Sequence, residues 1–263
     1  MYTYLSHHGI KGQKWGVQNG PPYPLERQTM QKGTRLESVM DMSTALNRVV
    51  FEDDKYTKRP LYTYNPNDEW DRKVYRGAFA VYKSGGDLNV PMYKAIYETK
   101  KTLKMPTSQQ RIDEFEALAK SNPNQTLKDL KDIRNQLQKF VNQAGSQASP
   151  QMKKSLADWD GKTLPKNETE LKACYSMLQN GMENVSAWKT TQKYVERMAS
   201  KYDAMVDDNN VNVYNLAHDP VIVFNVEKSL RYIDLQSISA NEIAKSYAEV
   251  KNELKKQGLN IQL

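Results

Sequence analysis

The sequence predicts an α+β fold with a mixed or antiparallel sheet core, a helical insertion and an extended N-terminal arm. Two changes of hydrophobic period carry that expectation. Strand-like alternation prevails up to about residue 104, apolar residues recur at helical spacing over about 108–200, and strand patterns return over 203–233. Strands, then helices, then strands is the order of a segregated α+β fold; a doubly wound parallel sheet would alternate strand and helix throughout. The third observation is the first segment, whose glycines and prolines forbid a regular helix. The expected organisation is an arm over 1–30, an α+β domain over 31–235 interrupted at about 108–200, and a C-terminal helix over 236–263.

Taken in order, the arm carries His7, His8, Lys14, Trp15 and Val17, then Pro21, Pro22 and Tyr23. It is too apolar for a spacer, so it is expected to dock, on its own domain or on a neighbour. Gly33–Val39 and Asn47–Phe51 read as strands, and Arg59–Tyr64 as a third, rich in β-formers. Asn65-Pro66-Asn67-Asp68 turns into a helix capped by Asn67 or Asp68 and ended by Ser84-Gly85-Gly86. Its apolar stripe is Trp70, Val74, Ala78 and Val81, which puts Arg76 on the solvated face. Met92–Thr102 is the clearest long strand, with Tyr93, Ala95, Tyr97 and Thr99 on one face.

Within the insertion, Ile112, Phe115 and Leu118 mark one helix. Leu127, Leu130, Ile133, Leu137 and Phe140 mark a second, opened by Thr126 and Asp129. After a polar break at 145–150, Leu171–Leu178 closes near Gly181, and Trp188–Tyr202 follows as a fourth helix. Asp203–Asp208 then reads as a short strand into an acidic turn, Pro220–Asn225 as a buried strand and Leu230–Ile233 as an edge strand. Ser239 and Glu242 form a capping box for a last helix through Ile243, Tyr247, Val250 and Leu254.

Composition narrows the function classes. Apolar residues make up 38% of the 263, a low share that 16 Tyr and 4 Trp offset by filling core while keeping a polar tip. A single cysteine, Cys174, excludes an intramolecular disulfide framework and a Cys-based zinc finger. Neither a basic-then-apolar leader nor a run near the roughly 18 apolar residues of a membrane helix occurs, so no membrane association is expected. The net charge of +7 suits nucleic acid or an acidic surface, but the basic pairs are short and dispersed, and a solvated face explains them.

Two resemblances add to this. The segment Tyr4-Leu5-Ser6-His7-His8-Gly9-Ile10-Lys11-Gly12-Gln13-Lys14-Trp15-Gly16-Val17 resembles a motif recurring in proteins of phages and prophages of Gram-positive and gut bacteria. It implies a phage gene, often one near the portal and head-morphogenesis genes, and no particular reaction. Over about 30–235 the layout resembles the ADP-ribosyltransferase fold. The matching pieces are Lys32-Gly33-Thr34-Arg35-Leu36-Glu37-Ser38-Val39, Leu61-Tyr62-Thr63-Tyr64, Lys201 to Asn209 and Pro220 to Phe224.

The second resemblance implies a site for NAD. A cation holds the pyrophosphate, a Ser or Thr orients the ribose, and a carboxylate stabilises the oxocarbenium-like centre. The cation of the pattern follows Leu-Tyr in the first strand, where this chain has Ser38. Arg35, three residues back, shares that face only across a bulge. Tyr75-Arg76-Gly77 looks like the transferase "YRG" and offers Arg76 instead; Thr63 is the candidate hydroxyl, and Asp207 and Asp208 are the candidate carboxylates.

The expected function is therefore a non-catalytic phage structural protein, head- or portal-associated, with no cofactor. Its arm would dock on capsid, portal or another virion protein, or on further copies of itself, in the virion. The alternative is an active mono-ADP-ribosyltransferase that uses NAD on a host protein in the host cytoplasm; a phage inhibitor of a host defence protein is a third reading. No metal site is expected: adjacent His7 and His8 diverge on an extended chain, His218 is far away in sequence, and Asp53-Asp54 lacks the spaced ligands of a calcium loop. Cys174 lies in an apolar helical stripe, which suits a buried small hydrophobe better than a nucleophile.

Overall fold

In a computed structural model of the chain, the described residues are 28–54, 59–144, 150–182, 187–207, 216–218 and 220–256. The arm's docking residues and Asp208 lie outside them. The fold is α+β with antiparallel sheets, and the chain divides into two compact units, Arg27–Met105 with Tyr202–Leu263, and Pro106–Lys201.

The first unit opens with β1 (Thr29–Met30) and β2 (Arg35–Asp41). Helix α1 follows, an α-turn over Met42–Ala45 running on as a π-helix over Leu46–Val50, and then β3 (Leu61–Thr63). Helix α2 is α-helical over Glu69–Lys73, π-helical over Val74–Phe79 and α-helical again over Ala80–Lys83. Strands β4 (Met92–Thr99) and β5 (Leu103–Lys104) lead into the second unit. Its helices are α3 (Ser108–Ser121), α4 (Pro123–Ala144), α5 (Pro150–Asp158), α6 (Glu168–Gly181) and α7 (Lys189–Lys201). The chain returns through β6 (Ala204–Val206), β7 (Val221–Val223), the short α8 (Val226–Ser229), β8 (Leu230–Ile238) and α9 (Ala240–Lys256).

In the first unit β2-β4-β8 and β3-β7-β6 form two three-stranded sheets, with β1-β5 a separate pair, all antiparallel. The two larger sheets meet at one backbone pair: Glu37 N–H donates to the Tyr64 carbonyl at 3.0 Å and Tyr64 N–H to the Glu37 carbonyl at 2.9 Å. The register of β2 on β4 is unbroken from Arg35 to Asp41, whereas β4 on β8 shifts at Ile96/Tyr97. The edge strand expected at 230–233 is real and runs on to Ile238. Asp68 caps α2, accepting from the Trp70 and Asp71 amides, and Ser239 accepts from the Glu242 amide at the start of α9.

Several local readings change, and the strand expected over Met92–Thr102 ends at Thr99. Asn47–Phe51 is helical because Asp41 caps the turn before it, accepting from the Thr44 amide at 2.8 Å, and β-branched Val49 and Val50 follow that helix. In the second unit, α4 starts at Pro123, whose fixed φ suits a first helical turn, and not at Thr126. Asp129 therefore does not open the helix. It is buried and accepts from the Thr190 amide at the start of α7, tying two helices together. Helix α5 carries Met152 and Leu156 into the same core as Trp159, Leu130, Phe115 and Tyr194. Cys174 is fully buried there, and burial, with Glu170 nearby, raises its thiol pKa well above the ordinary range.

Helices α2 and α9 approach closely at Gly77. A Cβ on that residue would sit 2.5 Å from the Tyr247 amide nitrogen and 2.7 Å from the Ser246 carbonyl carbon, both backbone atoms that cannot swing aside. Gly77→Ala is therefore expected to destabilise the protein by about 1–3 kcal/mol, by overpacking. Urea denaturation of the wild type and the variant measures it.

Candidate functional site

The residues nominated for NAD do not converge. Neighbouring residues of a strand face opposite sides of the sheet. Because Glu37 pairs with Tyr64, the antiparallel register sets Ser38 beside Thr63 on the other face. Ser38 stands where the resemblance places its cation, so the strand supplies a hydroxyl there and not a guanidinium. Thr63 is 1% exposed and its Oγ1 donates to the Val221 carbonyl at 2.9 Å. Arg35 is exposed and, with no bulge in β2, shares the face of Glu37, away from Ser38. Asp207 is half-buried, its amide donating to the Pro220 carbonyl.

Arg76 departs most from expectation. The π-helical turn shifts the helical phase, and instead of facing water the side chain is 13% exposed and turned onto the sheet. Its Nη2 donates to Glu37 Oε2 at 2.6 Å, its Nε to Tyr64 Oη at 3.1 Å and its Nη1 to Glu242 Oε1 at 3.0 Å. Tyr64 Oη in turn donates to Glu37 Oε2 at 2.6 Å, so Arg76, Tyr64 and Glu37 close a ring of hydrogen bonds. Tyr75 stacks on Tyr64 with centroids 4.5 Å apart and planes 4° from parallel.

Electrostatics match that geometry. Burial alone would lower the Arg76 pKa, but Tyr64 and Glu37 hold the guanidinium charged and raise it above its ordinary value. Burial and the adjacent Glu37 carboxylate push the Tyr64 phenol well up, so it stays a donor. Taken as a grip for NAD, the cluster does not fit. The Arg76 charge is already matched by two carboxylates, the buried Glu37 and the more exposed Glu242, on the face opposite Thr63.

A second cluster is not legible in the sequence. His218 Nδ1 lies 2.9 Å from Asp68 Oδ2, and the His218 amide donates to Asp71 Oδ1 at 2.6 Å. Trp70 Nε1 donates to the Leu216 carbonyl at 2.6 Å. One ligand atom from each of Asp68, Asp71 and His218 falls within 4.8 Å of the others, a spacing a divalent cation would accept. Their atoms already serve the fold, since Asp68 Oδ1 caps α2 and its Oδ2 holds the imidazole. The one signal in the sequence is Asp68 as a cap; nothing there shows that His218 returns to it 150 residues later.

Two outcomes follow. Arg76→Met leaves Glu37 buried without its counter-charge and is expected to cost about 3–5 kcal/mol, while Glu37→Met with Arg76→Met together recovers much of the loss. A double-mutant cycle by urea denaturation checks the pair. At high pH, Tyr97 on β4 matters: burial raises its pKa to about 12 from the ordinary 10.0, Arg48 opposing and Tyr232 adding to the rise. The sign follows from the folded state holding that proton more tightly. Its stabilising share is complete below pH 10 and disappears between pH 10 and 12, at most about 2–3 kcal/mol. Tyr97→Phe should flatten the fall of stability with pH over that interval. Compared with family models, curated proteins and solved structures, the chain matches none.

Proposed function

We propose that this chain is a phage structural protein, associated with the head or portal of the virion, whose ADP-ribosyltransferase-like body is a non-catalytic scaffold. Its N-terminal arm docks it on capsid, portal or another virion protein, or on further copies of the chain. The observation that carries the reading is the state of Arg76. The guanidinium that would have to hold a pyrophosphate is locked between Glu37 and Glu242, on the sheet face opposite Thr63. The His7–Val17 motif supports the phage origin by resemblance, and extended arms suit docking because they gain order on binding and wrap a large surface. No helix of the described residues is long and apolar enough to cross a membrane.

Mass spectrometry of purified virions tests the scaffold reading directly. Several copies per particle are expected, and absence from the particle overturns it. Incubation of the purified protein with labelled NAD and host lysate is expected to label nothing. Labelling that Thr63→Ala or Arg76→Ala abolishes would establish the transferase in its place.

A further inference from the structure

A second largely buried arginine of the first unit, Arg48, is in a different situation. It sits on the π-helical turn of α1, is 9% exposed, and lines a cavity of about 460 Å³ in the first unit. Among the described residues its Nη1 and Nη2 reach only the carbonyls of Arg59 and Pro60, at 3.3–3.4 Å, long for bonds from a charged donor. Among the described residues no carboxylate forms an ion pair with it, and the charges that act on it most are those of Tyr97 and Arg59. Burial lowers its pKa, Tyr97 opposing and Arg59 adding to the fall, and the group remains a cation near neutral pH.

The walls complete a site. Tyr97 and Tyr232 meet edge to face, 6.0 Å between centroids and 68° between planes, and Tyr232 is 45% exposed toward solvent. Lys100 and Arg231 also line it, but both are held: Lys100 Nζ donates to the Glu227 carbonyl at 2.7 Å and Arg231 pairs with Glu98 at 2.8 Å. The acidic side chains of the lining, Glu52 among them, are exposed, where water screens their charge. Glu52 also adopts a left-handed backbone (φ 48°), an uncommon conformation for a residue other than glycine. The volume falls within the range of small-molecule pockets, about 300–1,000 Å³.

We propose that this cavity binds a small ligand in which an oxyanion, phosphate or carboxylate, is joined to a flat ring, Arg48 holding the oxyanion and Tyr97 and Tyr232 contacting the ring. The site goes beyond the scaffold reading and is independent of it, since binding is measured without virions and without NAD. Calorimetric titration of the full chain with phenyl phosphate, benzoate, inorganic phosphate and phenol separates the two halves of the ligand and the two kinds of oxyanion. At least one of phenyl phosphate and benzoate should saturate a single site, with inorganic phosphate and phenol each weaker by roughly 10-fold. Arg48→Gln should abolish the binding and Tyr232→Ala weaken it roughly 5–10-fold. No saturable binding of either ring-bearing anion, or binding that survives Arg48→Gln, overturns the site. Should Arg48→Gln fail to fold, Tyr232→Ala decides: it alters a half-exposed side chain, and an unchanged affinity is then the overturning result.

Discussion

The first unit is organised around one closed ring of hydrogen bonds among Glu37, Tyr64 and Arg76. Burying two charges costs several kcal/mol each, and the cost is offset only when geometry is good and the remaining donors and acceptors are satisfied. Here Glu37 Oε2 accepts from both partners at 2.6 Å, Tyr64 donates and accepts through one oxygen, and the remaining arm of the guanidinium reaches Glu242. Each member belongs to a different part of the chain, Glu37 to β2, Tyr64 to the residue after β3 and Arg76 to α2, and Glu242 brings in α9. Among the described residues one backbone pair joins the two larger sheets, and it is formed by the same two residues, Glu37 and Tyr64. The ring therefore fixes the sheet junction, the seat of α2 and the approach of α9 together. Gly77, next to Arg76, lets the two helices come close enough for Glu242 to arrive.

That dependence explains which parts of the fold are legible in the sequence. Strands at 35–41, 92–99 and 221–223 follow directly from alternation or from an unbroken apolar run, and the capped helices at 69 and 240 from Asp68 and Ser239. The helical block appears as a change of period near residue 108. Helix α5 escapes notice because its apolar residues are few and follow a polar break; Met152 and Leu156 become core only against other helices. Residues 47–51 mislead because β-branched Val49 and Val50 favour strand locally, while the Asp41 cap and the Arg48 bonds to residues 59 and 60 hold a helix.

At the candidate site the motif singles out Arg76, and the stripe around it misplaces its surroundings. Arg76 stands out by its motif yet falls to solvent, because a stripe of Trp70, Val74, Ala78 and Val81 assumes 3.6 residues per turn throughout. A π-helical turn breaks that assumption, since its wider spacing rotates every later side chain. Nothing in the residues 74–79 announces such a turn. Thr63 and Ser38 illustrate the opposite case. Their facing positions follow from strand parity once Glu37 and Tyr64 are known to pair, and that long-range pairing is the missing fact.

Two largely buried arginines of the first unit show the difference between a residue that holds a fold and one proposed to take a ligand. Arg76 and Arg48 are both on π-helical turns and both nearly removed from water. Arg76 has two carboxylates and a phenol, so adding an anion would bring a third negative group into a satisfied cluster, at a net cost. Arg48 has two carbonyl groups at long range, dipoles that solvate a cation without neutralising it. Leaving a buried charge without a counter-charge costs on the order of 3–5 kcal/mol, which the fold must sustain whenever the cavity is filled with water alone. An incoming oxyanion would relieve part of that cost while giving up its own hydration, so the exchange favours binding at Arg48 where it opposes binding at Arg76. The same residue type therefore takes opposite roles within one unit, according to whether the chain itself supplies the anion.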